Sequence, residues 1–142
     1  MPTDPVATPV ICRASCHCGA VEIEAELPEG LRSASRCDCS FCVRRGAAAV
    51  TALTASLRVT RGAENLTLYT WGTHSAKHYF CKTCGIYLYH QRRSDPRECG
   101  VNLACLPGGN PRTYAKTQAE AQAETDGGIP WTDGVNHISD RP

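Results

Sequence analysis

Large apolar side chains are scarce in this chain. Leucine, isoleucine, valine and phenylalanine together number 24 of 142 residues. That is thin for the core of an ordinary domain. Charge of one sign is scarce too: 15 basic against 14 acidic residues leave a net charge of +1. So even a balance argues against a dedicated binder of nucleic acid or another polyanion, and equally against a disordered chain. No apolar run is long. The blandest stretch, Gly46 to Leu53, is mostly alanine and falls far short of the ~20 residues a membrane helix needs. Met1 to Arg13 carries three prolines and no apolar stretch, which is not the pattern of a secretory leader. These absences point to one cytoplasmic domain, held by something besides apolar burial.

Cysteine is what the chain has in abundance. There are ten, and seven of them fall into three tight groups. In a reducing compartment such clusters bind metal more often than they form disulfides. Cys16-His17-Cys18 is a C-x-C pair, Cys37-Asp38-Cys39-Ser40-Phe41-Cys42 is C-x-C-x-x-C, and Cys81-Lys82-Thr83-Cys84-Gly85 is C-x-x-C-G. Cys12, Cys99 and Cys105 stand apart and read as small buried residues or plain free thiols.

The pattern along the chain predicts a mostly β domain. Val21, Ile23, Ala25 and Leu27 alternate with Glu22, Glu24 and Glu26, which reads as a half-buried strand. Pro28-Glu29-Gly30 ends it in a turn. Short β-like runs follow at Leu57–Thr60 and Leu66–Thr70, and Lys77–Phe80 and Ile86–His90 flank the C-x-x-C-G as a hairpin. Val101 to Leu106 alternates again, and Ser40 to Arg45 suits one helical turn. Lys116 to Glu124 has strong helix formers without an apolar stripe. The predicted organisation is a leader over 1–11, a zinc-binding domain over 12–125 and a tail over 126–142 carrying a few packed aromatics.

The spacings suggest distinct chemistry for the groups. In an extended strand the two thiols of C-x-C point the same way. In C-x-x-C-G a turn brings the two sulfurs together, and the glycine permits the backbone that follows. Each pair supplies half of a tetrahedral zinc site. Joining Cys16 and Cys18 with Cys81 and Cys84 gives a closed four-thiolate centre, whose binding free energy would support folding directly. Cys37, Cys39 and Cys42 then remain as a triad, and three protein ligands leave the fourth position of a zinc open for water or substrate. Three anionic sulfurs make a bound water a weaker acid, whereas a substrate thiol would be held deprotonated. The triad could instead be closed by Cys99, Cys105 or a histidine as a second structural site, or act as a redox thiol group. His17 reads as facing away from its neighbours, and His78 as a strand histidine. Arg44 and Arg45 could balance the thiolates, grip an acidic substrate or face solvent.

Taken together the motifs resemble one family. Cys16-His17-Cys18-Gly19-Ala20-Val21, Cys37 to Gly46, His78 to Ile86 and Val101-Asn102-Leu103 resemble, in order, the segments of the glutathione-dependent formaldehyde-activating enzymes, which include centromere protein V. The resemblance implies a β-tent of small antiparallel sheets stapled by zinc. It implies two zinc ions, one structural on Cys16, Cys18, Cys81 and Cys84 and one catalytic on Cys37, Cys39 and Cys42. It implies a carbon–sulfur lyase that joins formaldehyde reversibly to the glutathione thiol, so a small thiol is the expected partner. Arg44, Arg45, His78 and Asn102 are candidates to contact substrate or support the metal ligands. The centromere relatives suggest the alternative of a non-catalytic zinc module that binds protein or chromatin.

Overall fold

The structure is a computed structural model that describes residues 10–112 and 129–132. It is mainly β. Among the described residues ten strands run β1 Val10–Ser15, β2 Glu22–Leu27, β3 Arg36–Cys37, β4 Ala49–Leu53, β5 Arg58–Arg61, β6 Leu66–Tyr69, β7 Lys77–Cys81, β8 Tyr87–Gln91, β9 Glu98–Asn102 and β10 Trp131–Thr132. A short α-helix, α1, spans Ser40–Arg45. The strands form a three-stranded antiparallel sheet in the order β1-β2-β5, a five-stranded antiparallel sheet in the order β4-β9-β8-β7-β6, and a two-stranded pair β10-β3. That last pair is parallel.

The alternating segment behaves as its pattern predicts. Val21, Ile23, Ala25 and Leu27 are buried, while Glu24 on the other face meets Arg58 at 2.8 Å and Arg13 at 3.4 Å. The buried face packs on Val50, Leu88, Val101, Leu103 and Ile129 in a single core cluster. Alanines and cysteines fill much of the rest, including Ala14, Ala34, Ala48, Ala52, Cys81 and Cys99. So a core poor in large side chains is closed with small ones.

Some segments lie differently from the pattern along the sequence. The alanine-rich stretch holds a strand: β4 pairs with β9 from Ala49↔Asn102 to Leu53↔Glu98. The strand expected at Val101–Leu106 lies earlier, as β9, and Leu103–Cys105 turns into a 3-10 segment. The Asn102 carbonyl side chain accepts the Ala104 N–H there at 3.1 Å, and this local bond competes with the ladder. Strand β1 takes in Val10 and Ile11, the end of the stretch read as a leader. In the tail, Ile129 is buried but Trp131 is 49 % exposed, so an aliphatic side chain, not that aromatic one, anchors it. The helix expected at Lys116–Glu124 lies outside the described residues. Among the described residues no helix is long and apolar enough to cross a membrane.

Candidate metal centres and the cavity beside the triad

Cys16, Cys18, Cys81 and Cys84 come together with all four sulfurs within 4.8 Å of one another. The Cys16–Cys18 and Cys18–Cys81 sulfur separations are both 3.7 Å. A tetrahedron of ~2.3 Å metal–sulfur bonds spaces its sulfurs by about 3.8 Å, so these residues fit a zinc ion. The C-x-C pair sits in the turn between β1 and β2, not in a strand as the spacing first suggests. The two turns are built alike. Cys16 N–H bonds Val21 O at 3.1 Å and Cys81 N–H bonds Ile86 O at 2.9 Å. Gly19 and Gly85 follow the second ligand of each pair at φ of +80° and +76°, a region glycine enters freely.

Main-chain and side-chain N–H groups point at these sulfurs. Val21 N–H donates to Cys16 Sγ at 3.3 Å. Asn65 Nδ2 donates to Cys81 Sγ at 3.2 Å and to Thr83 Oγ1 at 3.0 Å. Burial pushes the Cys84 thiol up, but backbone N–H groups and neighbouring thiols outweigh it and hold it at about 6. Cys81 is lowered as well, whereas at Cys18 the Ala20 backbone hydrogen bond is outweighed by burial and the neighbouring thiols, which push it up to about 11. A metal that takes all four as thiolates must expel that proton. His17 is exposed beside this centre.

Cys37, Cys39 and Cys42 form the second group, again with sulfurs within 4.8 Å of one another. Strand β3 places Cys37, opposite Thr132 of β10. Cys39 caps α1, its sulfur accepting the Cys42 N–H at 3.3 Å, and the first helical turn returns Cys42 to the same side. Gly46 closes the helix in the left-handed conformation at φ 70°, as helix C-termini commonly do. The three thiols do not ionise alike. The hydrogen bond from Cys42 holds Cys37 down to about 5. That same bond, with burial, pushes Cys42 up, and burial raises Cys39. A metal that takes all three as thiolates must therefore expel protons from Cys39 and Cys42.

The triad opens onto a cavity of about 300 Å³ whose wall also includes Arg45, Trp71, His78, His90, Arg92 and Arg93. Apart from the triad thiols, its charged lining residues are arginines alone among the described residues. Arg45 is the hub. Its Nη2 lies 3.6 Å from Cys42 Sγ and its Nη1 3.1 Å from His78 Nδ1. Its guanidinium carbon stands 3.5 Å from the Tyr87 ring centroid and 4.6 Å from that of Phe41. Tyr87 in turn contacts His90 Nδ1 at 2.7 Å, and the His78 and His90 rings stack at 5.0 Å. Burial, reinforced by Arg45, lowers His78 to about 4. Burial, then His78 and the arginines, takes His90 well below its ordinary range. Both imidazoles are neutral at neutral pH.

Residues 11–124 match the family described as glutathione-dependent formaldehyde-activating enzyme. The chain belongs to this family. A solved structure of a Rhodobacter sphaeroides protein is 58 % identical, with a TM-score of 0.72 over 84 % of this chain and 99 % of that one.

The other residues singled out in this family member fall on different sides of Arg45. Arg45 and His78 line both the triad cavity and a second one of about 500 Å³, whereas Arg44 and Asn102 line only the second. Arg44 bonds back to the Ser40 carbonyl at 2.7 Å. Asn102 is buried and donates to the Tyr87 carbonyl at 2.9 Å. Cys99 is buried, while Cys12 and Cys105 are half-buried. Cys99 and Cys105 stand outside the triad group. The sequence reading missed Asn65, Trp71, Tyr87, His90, Arg92 and Thr132. A signal existed for one of them: a hairpin folded about the C-x-x-C-G sets His90 opposite His78.

Proposed function

We propose that the chain is a zinc-dependent carbon–sulfur lyase acting on the adduct of a small thiol and an aldehyde, of the S-hydroxymethylglutathione type. One observation carries the reading. Three cysteine sulfurs converge on a cavity wall, and no fourth histidine, cysteine or carboxylate joins their group among the described residues. A closed structural site would have such a ligand. The rival, a non-catalytic zinc module, needs neither the open side nor the cavity.

Cys37, Cys39 and Cys42 would hold the zinc, which would supply a soft Lewis acid that favours thiolate over thiol in its neighbourhood. The chain's own residues do the rest. Arg45 spreads positive charge beside Cys42 and offsets the charge of the three thiolates. Arg45, Arg92, which also pairs with Glu98 at 3.1 Å, and Arg93 place guanidinium donors on the cavity wall, where a substrate carboxylate would meet them. Confining thiol and aldehyde there removes much of the entropy cost of their meeting. In the forward direction sulfur attacks the carbonyl carbon and a C–S bond forms. The C–O π pair moves to oxygen, which takes up the proton the thiol gave up. Cleavage is the reverse, and the atoms balance without an oxidant or reductant.

The test is magnetization exchange between free [13C]formaldehyde and its glutathione adduct. Zinc-loaded protein should speed the exchange above the uncatalysed rate, and Cys42→Ala should return it to that rate. Equal exchange with and without a protein that holds two zinc ions would overturn the reading.

A further inference from the structure

The contacts of Arg45 and Tyr87 constrain which nitrogen of each cavity histidine bears the proton. A guanidinium only donates. The Arg45 Nη1 contact at 3.1 Å therefore makes His78 Nδ1 the acceptor, and a neutral His78 must carry its hydrogen on Nε2. Tyr87 has one hydroxyl hydrogen and two contacts, the Gly100 carbonyl at 3.1 Å and His90 Nδ1 at 2.7 Å. The carbonyl cannot donate, so both contacts are hydrogen bonds at once only when Tyr87 donates to Gly100 and His90 Nδ1 donates to Tyr87. That leaves a lone pair on His90 Nε2.

The two rings stack at 5.0 Å with 22° between their planes, and both line the triad cavity. The fold defends this placement. Gly100 lies opposite His90 on β9, and a Cβ added there would stand 2.4 Å from His90 Cε1.

We infer that His78 and His90, fixed in opposite tautomers, form a hydroxyl-recognition pair that holds the hydroxymethyl oxygen of the adduct. His78 Nε2–H donates to that oxygen, and the oxygen's own hydrogen goes to His90 Nε2. A hydroxyl, donor and acceptor in one atom, is the group such a pair fits. The pair sorts a hydroxymethyl thioether from an S-alkyl one, because the alkyl group would leave two buried ring nitrogens unpaired. This inference rests on the thiol–aldehyde reading for its ligand, but its test does not depend on turnover.

The experiment is long-range 1H–15N correlation on the histidine rings of the full-length, zinc-loaded protein. His78 should show a protonated Nε2 and His90 a protonated Nδ1. Glutathione alone, glutathione with formaldehyde, and S-methylglutathione are then added separately. Only glutathione with formaldehyde should move the Nε2 signals of both rings. The same tautomer in both rings, equal shifts with S-methylglutathione, or no shift in any arm would overturn the pair. Formaldehyde-dependent shifts without accelerated exchange would sink the lyase reading and leave the pair standing. His90→Leu should abolish the formaldehyde-dependent shift at His78; a retained shift in a variant still holding two zinc ions would count against the pair.

Discussion

The guanidinium of Arg45 lies 3.5 Å from the Tyr87 ring centroid while its two terminal nitrogens reach Cys42 and His78. One side chain thus joins the triad thiols to the imidazoles of the cavity. Its Nε is buried without a hydrogen-bond partner, so the aromatic faces of Phe41 and Tyr87 hold the group in place. Arg45→Met keeps the bulk and removes the charge and the donors. Zinc affinity at the triad should fall roughly 10- to 100-fold, the usual cost of losing a partner that orients a ligand. The four-cysteine centre should be unaffected. Chelator competition that resolves the two sites would check this, and an unchanged affinity at the weaker site would refute it.

The two metal groups should respond differently to loss of a ligand. Cys81 is fully buried and joins the β7–β8 turn to Cys18, 63 residues earlier. Cys81→Ala should abolish cooperative folding, because structural zinc binding and folding are one equilibrium. Cys42 lies at the edge of a cavity on a six-residue helix. Cys42→Ala should lower zinc from two to one per chain and keep native circular dichroism. Wholesale unfolding of Cys42→Ala would show the triad to be structural.

The grouping of the cysteines was legible because its geometry is local. The Cys39 cap with Cys42 one turn on, and the two glycine-terminated turns at Cys16–Gly19 and Cys81–Gly85, are each set within a few residues. The strand at Glu22–Leu27 was legible for the same reason, since its period needs no partner. What surrounds the triad was not. Tyr87 and Leu88 are adjacent and both buried, which strict alternation forbids. An irregular register between Tyr79 and Phe80 permits it and frees Tyr87 to meet Arg45. Strand β4 follows directly on Ala47-Ala48 and itself holds Ala49 and Ala52, and alanine says little about strand. Strand β9 holds Cys99 and Gly100, where the demand of the His90 ring for space overrides β propensity. Thr132 and Asn65 reach the cysteines through contacts distant in sequence.

Burial of neutral imidazoles makes stability depend on pH with a definite sign. His78 is 5 % exposed and titrates at about 4 in the fold, against 6.5 in the unfolded chain. Below 6.5 the unfolded chain takes a proton that the folded chain refuses. The contribution is therefore full above pH 6.5 and is lost as pH falls towards 4. The loss amounts to about 3 kcal/mol at most for this residue, with more from His90. Urea unfolding of the zinc-saturated protein at pH 7.5 and 5.5 measures it. His78→Gln should show a shallower fall than the parent, and the comparison cancels the acid lability of the metal. Identical slopes would mean that His78 takes up its proton as readily in the folded protein as in the unfolded chain.

The glycines near the two centres should rank by what a methyl group would meet. At Gly19 and Gly85 an added Cβ has nothing within 4 Å. Alanine there suffers only the left-handed backbone, about 1 kcal/mol. At Gly100 the backbone is ordinary but the new carbon falls 2.4 Å from His90 Cε1. The ring must shift, at about 1–3 kcal/mol, and the Tyr87 contact goes with it. At Gly62 both penalties coincide: φ is +79° and the added carbon lies 1.9 Å from the Ala20 carbonyl oxygen. Backbone cannot move aside as a side-chain tip can, and Ala20 stands in the turn that carries Cys16 and Cys18. Gly62→Ala should therefore destabilise most and weaken zinc at the four-cysteine centre. Gly100→Ala should spare that centre and disturb the His90 ring signals. Urea midpoints with zinc retention for the four variants give the order, and a Gly62→Ala no worse than Gly19→Ala would show that the β1–β2 turn yields where its packing says it cannot.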